Sequence, residues 1–345
     1  MNFCSDNATG ASPEVIESLV RANEGHAMPY GNDPLTTRVN DKIRAVFETD
    51  AEVFLVSTGT ASNSLALSVM TPPYGAVFCH REAHIEVDEC GAPEFFTGGA
   101  KLIHMDDENG LSTAAGFDAA WGNLGKSVHQ VQPGAVSLTQ TSEAGTLYSL
   151  DTIRTIADAA HGRGLHVHMD GARFANAVAA SNCTPAEMSW KAGIDVLSFG
   201  ASKNGCLAAE AVVFFNCELA KTFEFHRKRG GHLFSKMRFI SAQLDAYLNN
   251  DLWLENARHA NAMAKRLADG LSSIAAATFR FPVETNLMFV ELPEPIMAGL
   301  EADGFQFYRM VDAKGSFIRL VTAFNTEPAH VDSFIASALR HAGTE

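Results

Sequence analysis

The chain has 345 residues, 46 % of them apolar and 19 % charged, with a formal net charge of −14. That length accommodates one large core and a smaller companion, and the composition excludes a disordered or fibrous chain. The acidic balance argues against nucleic acid or an anionic membrane as partner, and no apolar run approaches the roughly 20 residues a membrane span needs. Six cysteines, at positions 4, 79, 90, 183, 206 and 217, form no CxxC pair. They read as reduced, mostly buried thiols of a cytoplasmic protein, not as a zinc knuckle or a disulfide frame. MNFCSDNATG lacks the basic start and apolar stretch of a secretion signal.

Short apolar strands then alternate with amphipathic helices. Asp33 followed by Pro34 reads as an N-cap and first helical residue, opening a helix with Leu35, Val39 and Ile43 on one face. EVFLVS (52–57) is a buried strand, followed by a turn and the helix TASNSLALSVM. AVFC (76–79), KLIHM (101–105), AVSLT (135–139), LHVHMD (165–170), DVLSFG (195–200) and AVVFF (211–215) complete a set of seven strand candidates. Helices are expected between most of them, notably SLDTIRTIADAAHGRG with Ser149 as its cap. The alternation predicts an α/β fold with a mostly parallel sheet covered on both faces. From about 216 to 270 the pattern turns helical. FVELP, FQFYRM and SFIRLV then alternate with two helices, as in a small α+β domain. The expected division is residues 1–250 and 251–345.

In open α/β sheets, function gathers at the carboxyl ends of strands. STGTASN (57–63) ends one strand and opens a helix, so its free N–H groups and the helix dipole suit an anion. It also reads as an ordinary cap and tight turn. In LHVHMDGAR (165–173), period-two alternation places His166, His168 and Asp170 on one face. An acid at a strand end with Gly171, Ala172 and Arg173 behind it leaves room for a flat ligand. Two histidines at i, i+2 also suit a metal ion, and an aspartate there can simply cap the next helix. SFGASKNGCLAAEAVVFF (198–215) sets one lysine, Lys203, between two apolar runs, where a charged amine is costly to bury unless it is paired or reactive. An anion cradle, an acid and a lysine, in that order, are what pyridoxal phosphate requires. Its phosphate takes a helix N-terminus, its ring nitrogen a carboxylate, and its aldehyde a lysine.

These motifs identify a resemblance. The chain is similar nearly end to end to the L-threonine aldolases of the β-eliminating lyase group, pyridoxal-phosphate enzymes of fold type I. The similarity runs through SDNATGASP, YGNDP (30–34), STGTASN, HIEVDECGAPEFFTGG (84–99), HMDGAR, SKNG, TNLMFVEL (285–292) and IRLVT (318–322). It implies that Lys203 forms the Schiff base, Asp170 partners the ring nitrogen, and Gly59 and Thr60 bind phosphate. It also implies that His84 stacks on the cofactor, and that Arg173 contacts the cofactor phenolate or the substrate carboxylate. Arg319 would grip the substrate carboxylate, with Ser5 as a second contact. Lys228 and Arg238 would reach a neighbouring chain's phosphate, with Tyr30 near the subunit boundary. Such sharing implies paired homodimers, commonly a homotetramer.

Two departures stand out. Where many members carry a glutamate-asparagine-threonine-histidine run, this chain reads TQTSEAG (139–145), with Ser142 in place of the histidine. RKRGGHLFSKMR (227–238) is longer than the family's glycine-rich stretch and brings in His232. The expected reaction is reversible cleavage of L-3-hydroxy-α-amino acids to glycine and an aldehyde, with His84 as the base. The rivals are β-elimination or transamination on the same cofactor, and a metal-dependent hydrolase built on His166, His168 and Asp170.

Overall fold

The structure, a computed structural model, describes residues 1–125, 127–313 and 315–343. Nine strands lie in the first part of the chain: β1 (Glu52–Val56), β2 (Gly75–His80), β3 (Lys101–Met105), β4 (Asp107–Glu108), β5 (Leu111–Ser112), β6 (Gln132–Thr139), β7 (His166–Gly171), β8 (Val196–Gly200) and β9 (Glu210–Phe214). Seven form one sheet in the order β1-β9-β8-β7-β6-β2-β3, and β4 pairs with β5 as a small hairpin. All the pairings from β8 to β3 are parallel; β9 alone runs against both its neighbours. Reversal at β9 makes β1 parallel to β8, so their carboxyl ends share one edge of the sheet.

Period-two alternation explains why these strands are apolar throughout. Val136 and Leu138 of β6, Leu197 and Phe199 of β8, and Ala211 and Val213 of β9 face one core. Ala135, Val196, Val212 and Phe214 face another on the opposite side. Helices Pro34–Phe47, Leu150–His161 and Arg238–Tyr247 cover the first face, and Gly59–Met70 the second. The caps follow the sequence. Asp33 accepts from the Thr36 N–H at 2.9 Å and Ser149 from that of Thr152 at 3.0 Å.

Four later strands, β10 (Thr278–Phe279), β11 (Leu287–Glu291), β12 (Tyr308–Asp312) and β13 (Gly315–Val321), make an antiparallel sheet ordered β10-β11-β13-β12. One face packs on helices Leu252–Leu271, Glu294–Ala302 and Pro328–Ala342. FQFYRM starts as core rather than as strand: Phe305 and Phe307 pack on Phe334, and β12 begins only at Tyr308. The N-terminal arm is laced into this unit. Phe3 stacks edge-on against Phe334 with centroids 5.2 Å apart, Phe3 N donates to Gln306 O at 2.8 Å, and Val321 N donates to Phe3 O at 2.9 Å. That docking fixes where Ser5 and Asp6 lie.

Candidate active site

Loops after β1, β2, β7 and β8 converge on a cleft of about 310 Å3 lined by Ser57, Gly59, Thr60, Asn63, His84, Asp170, Lys203 and Glu210. Larger surface depressions exist, such as one of about 460 Å3 around Cys183 and Arg258. Among the described residues the 310 Å3 cleft joins a helix N-terminus, a buried acid and a lysine, which makes it the candidate site.

Each lining group is held by a nameable cause. Thr58 caps the helix Gly59–Met70 by accepting from the Ala61 N–H at 3.2 Å. The N–H groups of Gly59 and Thr60, in the first turn, have no intrahelical acceptor. A Cβ built on Gly59 would meet nothing within 4 Å, so the space before this helix is open. Asp170, at the end of β7, is 3 % exposed. Its Oδ2 accepts from Asn63 Nδ2 at 2.8 Å and its Oδ1 from the Ala172 N–H at 2.9 Å. A carboxylate offers about four acceptor sites, so capacity remains for a protonated ring nitrogen. Lys203 sits in a 3-10 turn, Ser202–Asn204, directly after β8. Asn204 pins that turn by donating to Tyr247 Oη at 2.8 Å and Trp253 O at 2.7 Å. Among the described residues the Lys203 amine has no ion-pair or hydrogen-bond partner.

His84 opens a single helical turn, His84–Val87, after β2. Its Nδ1 lies 2.8 Å from Glu89 Oε1, and Glu89 also accepts from Asn63 Nδ2 at 2.9 Å and Ser64 Oγ at 3.2 Å. Asn63 thus ties the His84–Glu89 pair to Asp170. The Glu89 hydrogen bond raises the His84 pKa, and burial raises that of Glu89.

Arg173 is not directed at open space. Its Nε and Nη2 donate to Asp6 Oδ2 and Oδ1 at 2.7 and 3.0 Å, and Asn286 Nδ2 adds a bond to Asp6 Oδ2 at 3.1 Å. Burial opposes both charges, yet their attraction prevails, lowering the Asp6 pKa and raising that of Arg173. Arg319, on β13, has no carboxylate partner among the described residues. Burial and the nearby Arg173 depress its pKa, and its guanidinium lies 5.9 Å from the Tyr308 ring centroid. Ser5 turns its Oγ to the Asn7 N–H at 3.1 Å and lines an adjoining cleft with Phe3 and Val321.

Three of the expected residues group elsewhere on the chain. The Lys228 amine lies 4.9 Å from the Tyr30 ring centroid, and Arg238 Nη1 approaches Gly25 O at 3.4 Å. Ser142 is buried in its own turn, its Oγ 2.7 Å from Thr146 Oγ1. His232 Nδ1 lies 3.1 Å from Ser57 Oγ. The metal reading loses its geometry. His168 Nδ1 and Nε2 lie 2.9 and 3.0 Å from the hydroxyls of Ser137 and Ser198, burial pulls its pKa down to about 4, and His166 faces Asp195. Glu89, Asn63, Asp6, Asn286 and Glu210 are site residues that sequence reasoning passed over. All but Glu210 lie within motifs that mark the family, in SDNATG, STGTASN, HIEVDECG and TNLMFVEL.

A mostly parallel seven-stranded sheet, a small antiparallel sheet docked beside it, and a lysine at a strand end define the pyridoxal-phosphate enzymes of fold type I. Serine palmitoyltransferase from S. paucimobilis, solved with bound PLP, shares that fold with a TM-score of 0.73 over all of this chain and 88 % of its own, at 17 % identity. Residues 2–294 match the family model "Beta-eliminating lyase", and the chain belongs to that family. It is 44 % identical to the low specificity L-threonine aldolase of Pseudomonas aeruginosa over 94 % of this chain and 93 % of that protein. The threonine aldolase of Leishmania major superposes with a TM-score of 0.94 at 27 % identity, covering 99 % of each chain.

Proposed function

We propose that the chain is a pyridoxal-phosphate-dependent aldolase that reversibly cleaves L-3-hydroxy-α-amino acids, L-threonine and L-allo-threonine among them, to glycine and an aldehyde. The observation that carries this reading is the convergence of Lys203, Asp170 and the Gly59–Thr60 helix start on one cleft. When bound, the cofactor supplies an electrophilic aldehyde and a ring that accepts the electron pair of the breaking bond.

The chain's own residues do the rest. Gly59 and Thr60 hold the phosphate through their N–H groups and the helix dipole. Asp170, braced by Asn63, holds a proton on the ring nitrogen through a charge-assisted bond. Lys203 would provide the amine that anchors the cofactor. Arg319, with no carboxylate paired to it among the described residues, takes the substrate carboxylate; Arg173, already bidentate to Asp6, stiffens the wall beside it. Ser5 stands close to that pair. Pinning the carboxylate would fix which bond to Cα can feed the electron sink, and so select carbon–carbon scission. His84, oriented by Glu89, takes the β-hydroxyl proton.

Tyr30, Lys228 and Arg238 group away from Lys203, which supports a role for them at a neighbouring chain's cleft in a paired dimer or tetramer. A cytoplasmic location and a division near residue 250 belong to the same proposal. No helix among the described residues is long and apolar enough to cross a membrane. Incubation with L-threonine tests the reading. Acetaldehyde and glycine in equal amounts support it, whereas ammonia or a keto acid as the main product overturns it.

A further inference from the structure

One buried acid in the cleft has no part in the chemistry above. Glu210 is 6 % exposed and opens β9. The sheet register places it opposite Gly200, the last residue of β8, and opposite Val56, the last residue of β1. It therefore lies between the turn that carries Lys203 and the segment Ser57–Thr60 that forms the anion cradle. Its Oε2 accepts from the Ala201 N–H at 2.8 Å, and Ser202 Oγ accepts from the Ala209 N–H at 3.2 Å. These two bonds close the 201–210 loop at its base. On the far side, Asn256 Nδ2 donates to Asn204 O at 2.9 Å and Ser12 N donates to Gly205 O at 2.9 Å. The backbone around Lys203 is thus clamped from both sides, while its side chain has no hydrogen-bond or ion-pair partner among the described residues and lines the cleft.

We propose that Glu210 is a positioning residue for Lys203, clamping the turn that bears the lysine and supplying a buried counter-charge that helps its nitrogen hold a proton. The clamp alone does not require an acid, because a glutamine oxygen accepts the Ala201 N–H as well. A buried carboxyl is costly when ionised and without a cation nearby. Lys203 is the cation that acts on it among the described residues; Cys206 and Tyr247, both neutral at ordinary pH, also lie near it, while Asp6 and His84 are further titratable groups that feel the Lys203 charge. Burial pushes the Glu210 pKa up to about 7, and the charge on Lys203 favours the ionised form. The inference rests on the reading that Lys203 anchors the cofactor.

The test uses the loaded full-length enzyme and its E210Q variant. The pH midpoint of the visible absorbance reports protonation of the cofactor–lysine linkage. Removing the negative charge makes that proton easier to lose, so the midpoint of E210Q falls by about one pH unit, a tenfold loss of proton affinity. A midpoint equal to that of the wild type, or higher, overturns the proposal. E210D, which keeps the charge on a shorter stem, falls by less, and it serves the same test if E210Q does not fold. In a second arm the cofactor is stripped and the rate of Lys203 acetylation by acetic anhydride is followed by mass spectrometry across pH. The acetylation midpoint also drops in E210Q; no change contradicts the proposal. If the wild type has no visible band, or keeps it in Lys203→Ala, the cofactor reading fails while the acetylation arm still decides the role of Glu210.

Discussion

Replacing Glu89 by glutamine removes one negative charge and changes the shape of the site very little. The Glu89 side chain is fully buried, whereas that of His84 keeps 27 % exposure, and the two meet at 2.8 Å. A hydrogen bond to a charged group contributes about 1.5–3 kcal/mol. Since His84 is partly open to solvent, screening favours the lower end, about 1.5 kcal/mol. The sign follows from the ion pair. A carboxylate partner raises the histidine pKa, so Glu89→Gln lowers it. Because the acid and the imidazole titrate as a pair, the midpoint measured in the wild type belongs to both groups, while the variant reports the histidine alone. Residue-resolved deuterium exchange at the imidazole C2 position, read by mass spectrometry, gives the midpoint of His84 in a protein of any size. The acidic limb of the pH–rate profile, where protonated His84 cannot take the hydroxyl proton, moves down by the same amount. An exchange midpoint that stays put or rises in Glu89→Gln refutes the reasoning. A shifted midpoint with an unmoved rate profile removes His84 from proton transfer.

Other consequences follow from the same contacts. Arg319→Gln loses a charged contact to the substrate carboxylate, so KM for a hydroxy amino acid rises about 10- to 150-fold, while the visible spectrum of the loaded enzyme is retained. Steady-state kinetics together with absorbance read both. Asp6→Ala strands a buried guanidinium and lowers unfolding stability by about 3–5 kcal/mol, seen as an earlier urea midpoint, with Asp6→Asn less affected. His168 is held neutral in the folded chain, with its pKa near 4, against 6.5 when free. Its contribution is therefore complete above pH 6.5 and fades as the pH falls towards 4, by about 3 kcal/mol in all. Urea midpoints measured across that range show the decline, and His168→Asn flattens it.

The strands of the large sheet were legible because both faces are covered, which leaves continuous apolar runs such as DVLSFG and AVVFF. Gly59, Thr60, Asp170 and Lys203 were legible for a related reason: each stands at or just past the end of such a run, at the carboxyl ends of strands where open α/β sheets gather function. Partner choice was not legible. HMDGAR presents Arg173 as a candidate for substrate, and only the docking of the arm through Phe3 shows that Asp6 occupies it. Glu89 follows a helix of a single turn and has no periodicity to mark it. FQFYRM alternates like a strand, yet Phe305 and Phe307 are taken up by the helical side of the small domain. Glu210 stands just before the apolar run AVVFF, outside the expected strand, and its meaning appears only when the register sets it beside Gly200 and Val56.

The claim that Lys203 is the amine to which the cofactor is joined can be measured directly. Borohydride reduction of the loaded enzyme, followed by proteolysis and mass spectrometry, should leave a single reduced pyridoxyl adduct on the peptide containing Ser202, Lys203 and Asn204. An adduct on another lysine, or none in a fully loaded preparation, would contradict the account.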